Sequence, residues 1–216
     1  MSSETRAATG RKVQAEATRL RLLESALSAF TARPYDAVSM SDIADAAGTA
    51  HGLPFHYFGS KRGLYIAALQ SAVTQLLESH QVDEIGTPRD QIKAMLVAHF
   101  TFMQRHDALA MALLRGGIGA DPEAWQIFED SRLVTLRWMC EVLGLDPEHR
   151  ALMIMMRAMA GAIDEATVQW MQQNRTISLD VLVDALLDLL VSALKGANRL
   201  DAELDVADAV MVLKEA

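Results

Sequence analysis

The chain has 216 residues, 51% hydrophobic and 22% charged, with a single cysteine and a formal net charge of −8. That supplies enough apolar surface for a core in one or two domains, leaves no compositional bias toward disorder, and rules out an intramolecular disulfide, which fits a reducing interior. The acidity excludes a uniformly basic nucleic-acid binder but is unevenly spread: residues 1–62 hold eight Lys and Arg against six acids, a net +2, leaving −10 for the rest, so any contact with a polyanion belongs to the N-terminus. The first residues given lack an apolar h-region, so no signal peptide is expected. The longest apolar stretch, Val181 to Leu194, is interrupted by Asp184 and Asp188 and is too short to cross a bilayer. The expected location is cytoplasmic, with no membrane partner.

Residues 1–14 are polar and basic and read as a flexible tail whose Arg6, Arg11 and Lys12 could reach a minor groove. From Ala15 to Thr31, the spacing of Leu20, Leu23, Leu27 and Phe30 predicts a helix, closed by Arg33-Pro34. The stretch Val38 to Lys61 organises the rest. Ser39-x-x-Asp42 is a capping-box pattern, and Met40, Ile43, Ala44 and Ala47 fall at i, i+3, i+4 and i+7, one helical face. Gly48 suits the C′ position, and a second short helix follows within three residues, the spacing of a helix-turn-helix. Lys61 and Arg62 then open a third helix, where cations oppose the macrodipole at roughly 0.3–1 kcal/mol each unless something, such as a bound phosphate, compensates.

The residues Asp42-Ile43-Ala44, Ala47-Gly48, Gly52 and Phe55-His56-Tyr57-Phe58-Gly59-Ser60-Lys61 resemble the DNA-binding signature of TetR-family transcriptional regulators. The resemblance covers about 24 residues. It implies an all-α homodimer with an N-terminal three-helix DNA-binding domain (residues 15–62) and, over residues 63–216, a connector helix plus a helical ligand-binding and dimerisation bundle. The candidate DNA contacts are Ser39, Thr49, His51, Gly52, His56, Tyr57 and Lys61. Phe58 is expected in the core. Ala50 stands where the family has a serine cap, and Leu53-Pro54-Phe55 replaces Thr-Leu-Tyr. With Ala50 as N-cap, Pro54 would fall at N4 and distort the first turn of the recognition helix.

Leu64, Ala68, Ala72 and Leu76 predict a long helix from Ser60 to about Gln81, interrupted early by Gly63, and the Gly86/Pro88 stretch of Val82–Arg89 is the expected domain boundary. Helices are expected at Asp90–His106 and Ala108–Leu114, before a Gly116–Gly119 cluster that lacks any phosphate-loop pattern. Asp121-Pro122-Glu123 and Asp146-Pro147-Glu148 repeat one helix-start signal, predicting helices near 122–143 and 147–173. In Ser178–Lys195, Asp180, Asp184 and Asp188 recur at i, i+4, i+8 in an otherwise apolar helix, so the acids are expected to face water and the remaining circumference to be buried. The helices near 147–173 and 178–195 are therefore the expected homodimer interface. Leu200, Leu204, Ala207 and Met211 predict a last helix without a readable role.

Ten of the twelve methionines lie beyond residue 89, a composition suited to an adaptable apolar pocket as well as to a core. The candidate ligand contacts are His99, Phe102, Met103, Trp125, Phe128, Met156 and Met159. His99 fits a satisfied core histidine equally well, and Asp164 and Glu165 either meet a cation or face solvent. No paired carboxylate–histidine set, zinc motif or nucleophile–base arrangement is present, so no catalytic residues, metal or cofactor are expected. The expected function is a ligand-responsive regulator, a repressor released from a palindromic operator by a small, largely apolar molecule. A helical small-molecule carrier without specific DNA recognition is the alternative.

Overall fold

The computed structural model describes residues 3–81, 86–106 and 121–214, and among these every regular element is helical. The expected helix Ala108–Leu114, the cluster Gly116–Gly119 and Met111 lie outside the described residues. No helix among the described residues is long and apolar enough to cross a membrane. The chain forms two compact units, Met1–Thr74 and Gln75–Ala216.

The first unit opens with α1 (Ser3–Ala32). The polar composition of residues 1–14 predicts a flexible tail, yet α1 already begins at Ser3. Residues 12–17 are all exposed, so burial does not explain the helix there; Ala, Glu, Arg, Lys and Gln propagate a helix nucleated further on, against the weaker formers Thr5, Thr9 and Val13 and Gly10, the last at about 1 kcal/mol. Where α1 packs, its buried face is Leu22, Leu23 and Ala26, with Leu27 and Phe30 alongside, while Leu20 stays 45% exposed. Pro34 (φ −52°, ψ 145°) breaks the helix, and a 3-10 turn (Tyr35–Ala37) leads to α2 (Met40–Ala46). Both arms of the capping box form: the Ser39 hydroxyl accepts from the Asp42 N–H at 3.0 Å, and the Asp42 carboxylate accepts from the Ser39 N–H at 3.3 Å.

Gly48 (φ 63°) ends α2 in a Schellman motif, with the Thr49 N–H donating to Ala44 O and the Gly48 N–H to Asp45 O. The second short helix, α3 (Leu53–Phe58), has Gly52 and not Ala50 as its N-cap. Pro54 therefore sits at N2, where its missing N–H is no loss, and the expected distortion of the first turn does not arise. Gly59 (φ 73°) turns the chain into α4 (Lys61–Ser79). Ser60 caps α4 by accepting from the Gly63 N–H at 3.0 Å. Ile43, Leu64, Ala68 and Leu22 meet in the small core these helices share.

The division between units falls inside α4 and not in the Gly86/Pro88 stretch: Leu64 and Ala68 belong to the first core, whereas Leu76 and Leu77 line a cavity of the second unit. The second unit contains α5 (Pro88–Arg105), α6 (Pro122–Val142), α7 (Arg150–Gln172), α8 (Leu179–Leu200) and α9 (Ala207–Lys214). A second capping box, Thr87 with Asp90, starts α5. Asp121 caps α6 as its sequence signal predicts. The matching signal at Asp146 makes a turn instead, its carboxylate accepting from the Glu148 N–H, and α7 starts at Arg150.

α7 and α8 pack most extensively against each other, and α5 and α9 pack against α8. Asp184 of α8 does not simply face water. It pairs with Lys93 at 2.7 Å and Arg89 at 3.8 Å, both from α5. α9 buries Ala209 and Leu213 and leaves Met211 53% exposed, and Arg89 donates to Leu213 O.

Candidate functional site

In the first unit, the Schellman turn at Gly48 and the proline-started α3 place the recognition segment on the surface. Ser39 is exposed at the N-cap of α2, its hydroxyl held by the Asp42 N–H. Hydrogen bonds from the Ser39 hydroxyl, then the Ser39 N–H, then Arg33 hold the Asp42 carboxyl below its usual range. The Thr49 hydroxyl donates back to Ala44 O at 3.3 Å, and His51 Nε2 lies 2.7 Å from Asp45 Oδ1. Gly52 has an ordinary negative φ, and a Cβ there would meet nothing within 4 Å, so nothing among the described residues calls for glycine. His56 is exposed, its ring edge-on to Tyr57 at 5.5 Å.

Two further candidates are also engaged inside the unit. The Tyr57 hydroxyl donates to Ala15 O at 3.2 Å, tying α3 to α1. Lys61 Nζ lies 4.4 Å from the centroid of the Tyr35 ring, so an internal cation–π contact meets part of the electrostatic need for which a bound phosphate is one candidate. The segment holds one feature that the candidate set lacked: Phe55, 54% exposed on α3. Phe58, by contrast, packs on the core. Spacing alone could not separate the two, since residues three apart share one helix face.

In the second unit, a cavity of about 580 Å3 including its mouth is lined by residues from the end of α4 and from α5, α6 and α7. Of the seven candidate ligand contacts, His99, Met103 and Phe128 line it. The other four lie elsewhere. Met156 and Met159 are 0% and 2% exposed in the core, Phe102 stacks on His106 at 4.4 Å, and Trp125 is 46% exposed on the surface of α6. Helical spacing identifies a buried stripe but not which part of it borders a void.

The polar part of the wall was largely missed. His80 Nε2 lies 3.2 Å from His99 Nδ1, His80 Nδ1 lies 3.2 Å from Thr135 Oγ1, and His99 Nε2 lies 3.5 Å from Thr167 Oγ1. Because the Thr167 hydroxyl donates to Ile163 O at 2.8 Å, it accepts from His99. His99 then carries its proton on Nε2 and accepts on Nδ1 from His80. Burial pushes His80 down to about 4, and burial followed by the charge of His80 pushes His99 down to about 3, so both rings are neutral at pH 7.

Beside them, Arg132 Nη1 donates to Glu129 at 2.7 Å and Nη2 to Asp164, and Arg157 donates to the other Glu129 oxygen. Arg132 and Asp164 border the cavity. Despite the guanidinium, desolvation dominates at Asp164 and pushes its carboxyl up to about 6. The sequence signal for this pair was partial. Asp164 stands out as an acid in an apolar helix, but its cation comes from another helix, 32 residues earlier in the chain.

Residues 22–68 match the model for bacterial regulatory proteins of the tetR family. The chain is 28% identical over 181 residues to the HTH-type transcriptional activator FasR of Mycolicibacterium smegmatis, covering 81% of this chain and 82% of that protein. Its fold is similar to that of a tetR-family transcriptional regulator from Streptomyces coelicolor (TM-score 0.76, 24% identity, 92% and 88% of the two chains). It is also similar in fold to the transcriptional regulator FadR from Bacillus subtilis in complex with stearoyl-CoA (TM-score 0.67, 22% identity, 81% and 98%).

Proposed function

We infer that this chain, a TetR-family transcriptional regulator, grips DNA with α2, α3 and the head of α4 and loses that grip when a small, largely apolar effector fills the cavity of its second unit. The observation that carries the DNA half is the surface of α3: His56 and Phe55 stand exposed on a helix whose start, at open Gly52, admits close main-chain approach. In a major groove, His56 offers a donor or acceptor to a base edge and Phe55 an apolar face to a thymine methyl. Ser39, Thr49, Tyr57 and Lys61 supply backbone contacts, with Thr49, Tyr57 and Lys61 exchanging Ala44 O, Ala15 O and the Tyr35 ring for phosphates.

A two-fold dimer would place two such segments about 34–36 Å apart on a palindromic operator. The surface of α7 and α8 supports this pairing. Val181, Ala185 and Leu189 form an exposed stripe on α8, and Ile154, Ala158 and Gly161 are exposed on α7. The effector acts through α4, a single helix whose first turn holds Lys61 and whose last turns line the cavity. Release requires that the effector favour one conformer, and DNA must then weaken effector binding by the same factor. The stearoyl-CoA held by the B. subtilis relative supports a long apolar chain as the body of the effector. We take the regulator to work in the cytoplasm and its sign to be repression, read out as increased transcription of the neighbouring genes when the chain is deleted.

Fluorescence anisotropy with duplexes from upstream of its own gene, at two salt concentrations, tests the reading. The expected result is a steep salt dependence that Lys61→Ala reduces by about one phosphate contact, with His56→Ala relaxing sequence preference. Absence of binding to any such duplex, with effector-sized ligands still bound, would instead indicate a carrier.

A further inference from the structure

Among the described residues, the cavity wall is apolar apart from His80, His99, Ser131, Thr135, Arg132 and Asp164. The histidines and hydroxyls are bonded among themselves and to backbone carbonyls, so the group able to meet a polar ligand is the Arg132–Asp164 pair. Its charge balance constrains what can enter. Glu129 and Asp164 supply two negative charges, Arg132 and Arg157 two positive ones, and the cluster is neutral as it stands. A cationic ligand would leave an excess positive charge, because an arginine cannot shed its proton. An uncharged ligand would leave the pair untouched. An anionic one is accommodated without net buried charge provided that one acid gains a proton.

Glu129 is the wrong acid, since two guanidiniums hold it and it does not border the cavity. Asp164 is held by one guanidinium through one oxygen and does border it. Building on the reading of this cavity as the effector site, we propose that the effector's head is a monoanion, a carboxylate on an apolar chain, that takes the Arg132 guanidinium from Asp164 while Asp164 accepts one proton from solvent. The planar guanidinium fork matches a carboxylate, and its Nε is a buried donor with no partner among the described residues. The other titratable groups around the pair are Glu129 on α6, Arg157 on α7, His99 on α5 and His80 at the end of α4. Both histidines are neutral above pH 6, and the carboxyl of Asp164 sits at about 6, so Asp164 is the group that exchanges its proton between pH 6 and 8.

Calorimetry of the full-length protein with decanoate and with its uncharged methyl ester, each in two buffers of different ionisation enthalpy, tests this. The expected result is uptake of about one proton per decanoate at pH 7.5, with affinity falling about tenfold between pH 7 and 8. Asp164→Asn, which mimics the protonated acid, should bind decanoate at least as tightly, take up no proton and be indifferent to pH. Arg132→Gln should weaken decanoate at least tenfold and leave the ester unaffected. Should Arg132→Gln fail to fold, the Asp164→Asn comparison decides alone. Decanoate binding without proton uptake, or equally pH-dependent in Asp164→Asn, overturns the proposal. If the methyl ester alone binds and releases DNA, the cavity reading stands and the anion assignment falls; if neither compound binds, both fall.

Discussion

At Gly63, a Cβ would lie 2.3 Å from the carbonyl oxygen of Phe58, a backbone atom that cannot step aside. Gly63→Ala should therefore destabilise the first unit by on the order of 2 kcal/mol, read as a lower midpoint in thermal unfolding, although alanine is ordinarily the better helix former. The sequence marked Gly63 as an interruption of α4; only the return of the chain past Gly59 explains why it is tolerated. The buried histidines make a residue-scale prediction of opposite visibility. Their folded values, about 4 and about 3, lie below the ordinary 6.5, so the unfolded chain binds more protons and stability falls as pH drops below 6.5. Asp164, raised from 3.8 to about 6, works the other way, protonating more readily when folded. Each histidine contributes up to about 1.4 kcal/mol per pH unit within its window. The net expectation is a loss on the order of 2 kcal/mol between pH 7 and pH 5. Urea unfolding at the two pH values checks it, and His99→Gln should shrink the difference.

Among the elements, those whose ends are written in local chemistry start where the sequence places them. Ser39 with Asp42 and Asp121 with Pro122 both do so, because a cap is decided by residues within a turn of one another. Thr87 with Asp90 is a further box of the same kind, and Thr87→Ala should cost about 1 kcal/mol in urea unfolding of the second unit while leaving DNA affinity unchanged. The pattern at Asp146 shows the limit of local reading. It satisfies the same rule, yet the helix waits until Arg150, and the carboxylate serves a turn. α1 departs in the other direction. A sequence reading that counts apolar periodicity sees no helix before Ala15, but a helix nucleated in the packed part propagates back to Ser3.

For the whole molecule, the apolar stripe Val181, Ala185 and Leu189 on α8 is exposed, with no cover among the described residues. If α7 and α8 form the homodimer seam, Val181→Asp with Leu189→Asp should yield a monomer in sedimentation velocity that retains helical content. That monomer should bind a full operator at least a hundredfold more weakly, since the two half-sites then act separately. The effector cavity should survive, because none of its lining residues lies on α8.

The amino-acid sequence by itself determined the all-helical class, the helix-turn-helix with its capped α2 and glycine turn, and the basic N-terminal bias over an acidic remainder. These depend on spacing within a few residues or on composition, and both survive without knowledge of what packs on what. Only the tertiary structure decided which residues border the cavity, sending Met156 and Met159 to the core and Trp125 to the surface, and bringing His80 to His99 and Arg132 to Asp164. It also decided that Lys61 has the Tyr35 ring as a partner before any phosphate arrives. Each of these is a meeting of side chains from separate helices or distant turns, and periodicity, which reports the face a residue occupies, carries no information about what that face will meet.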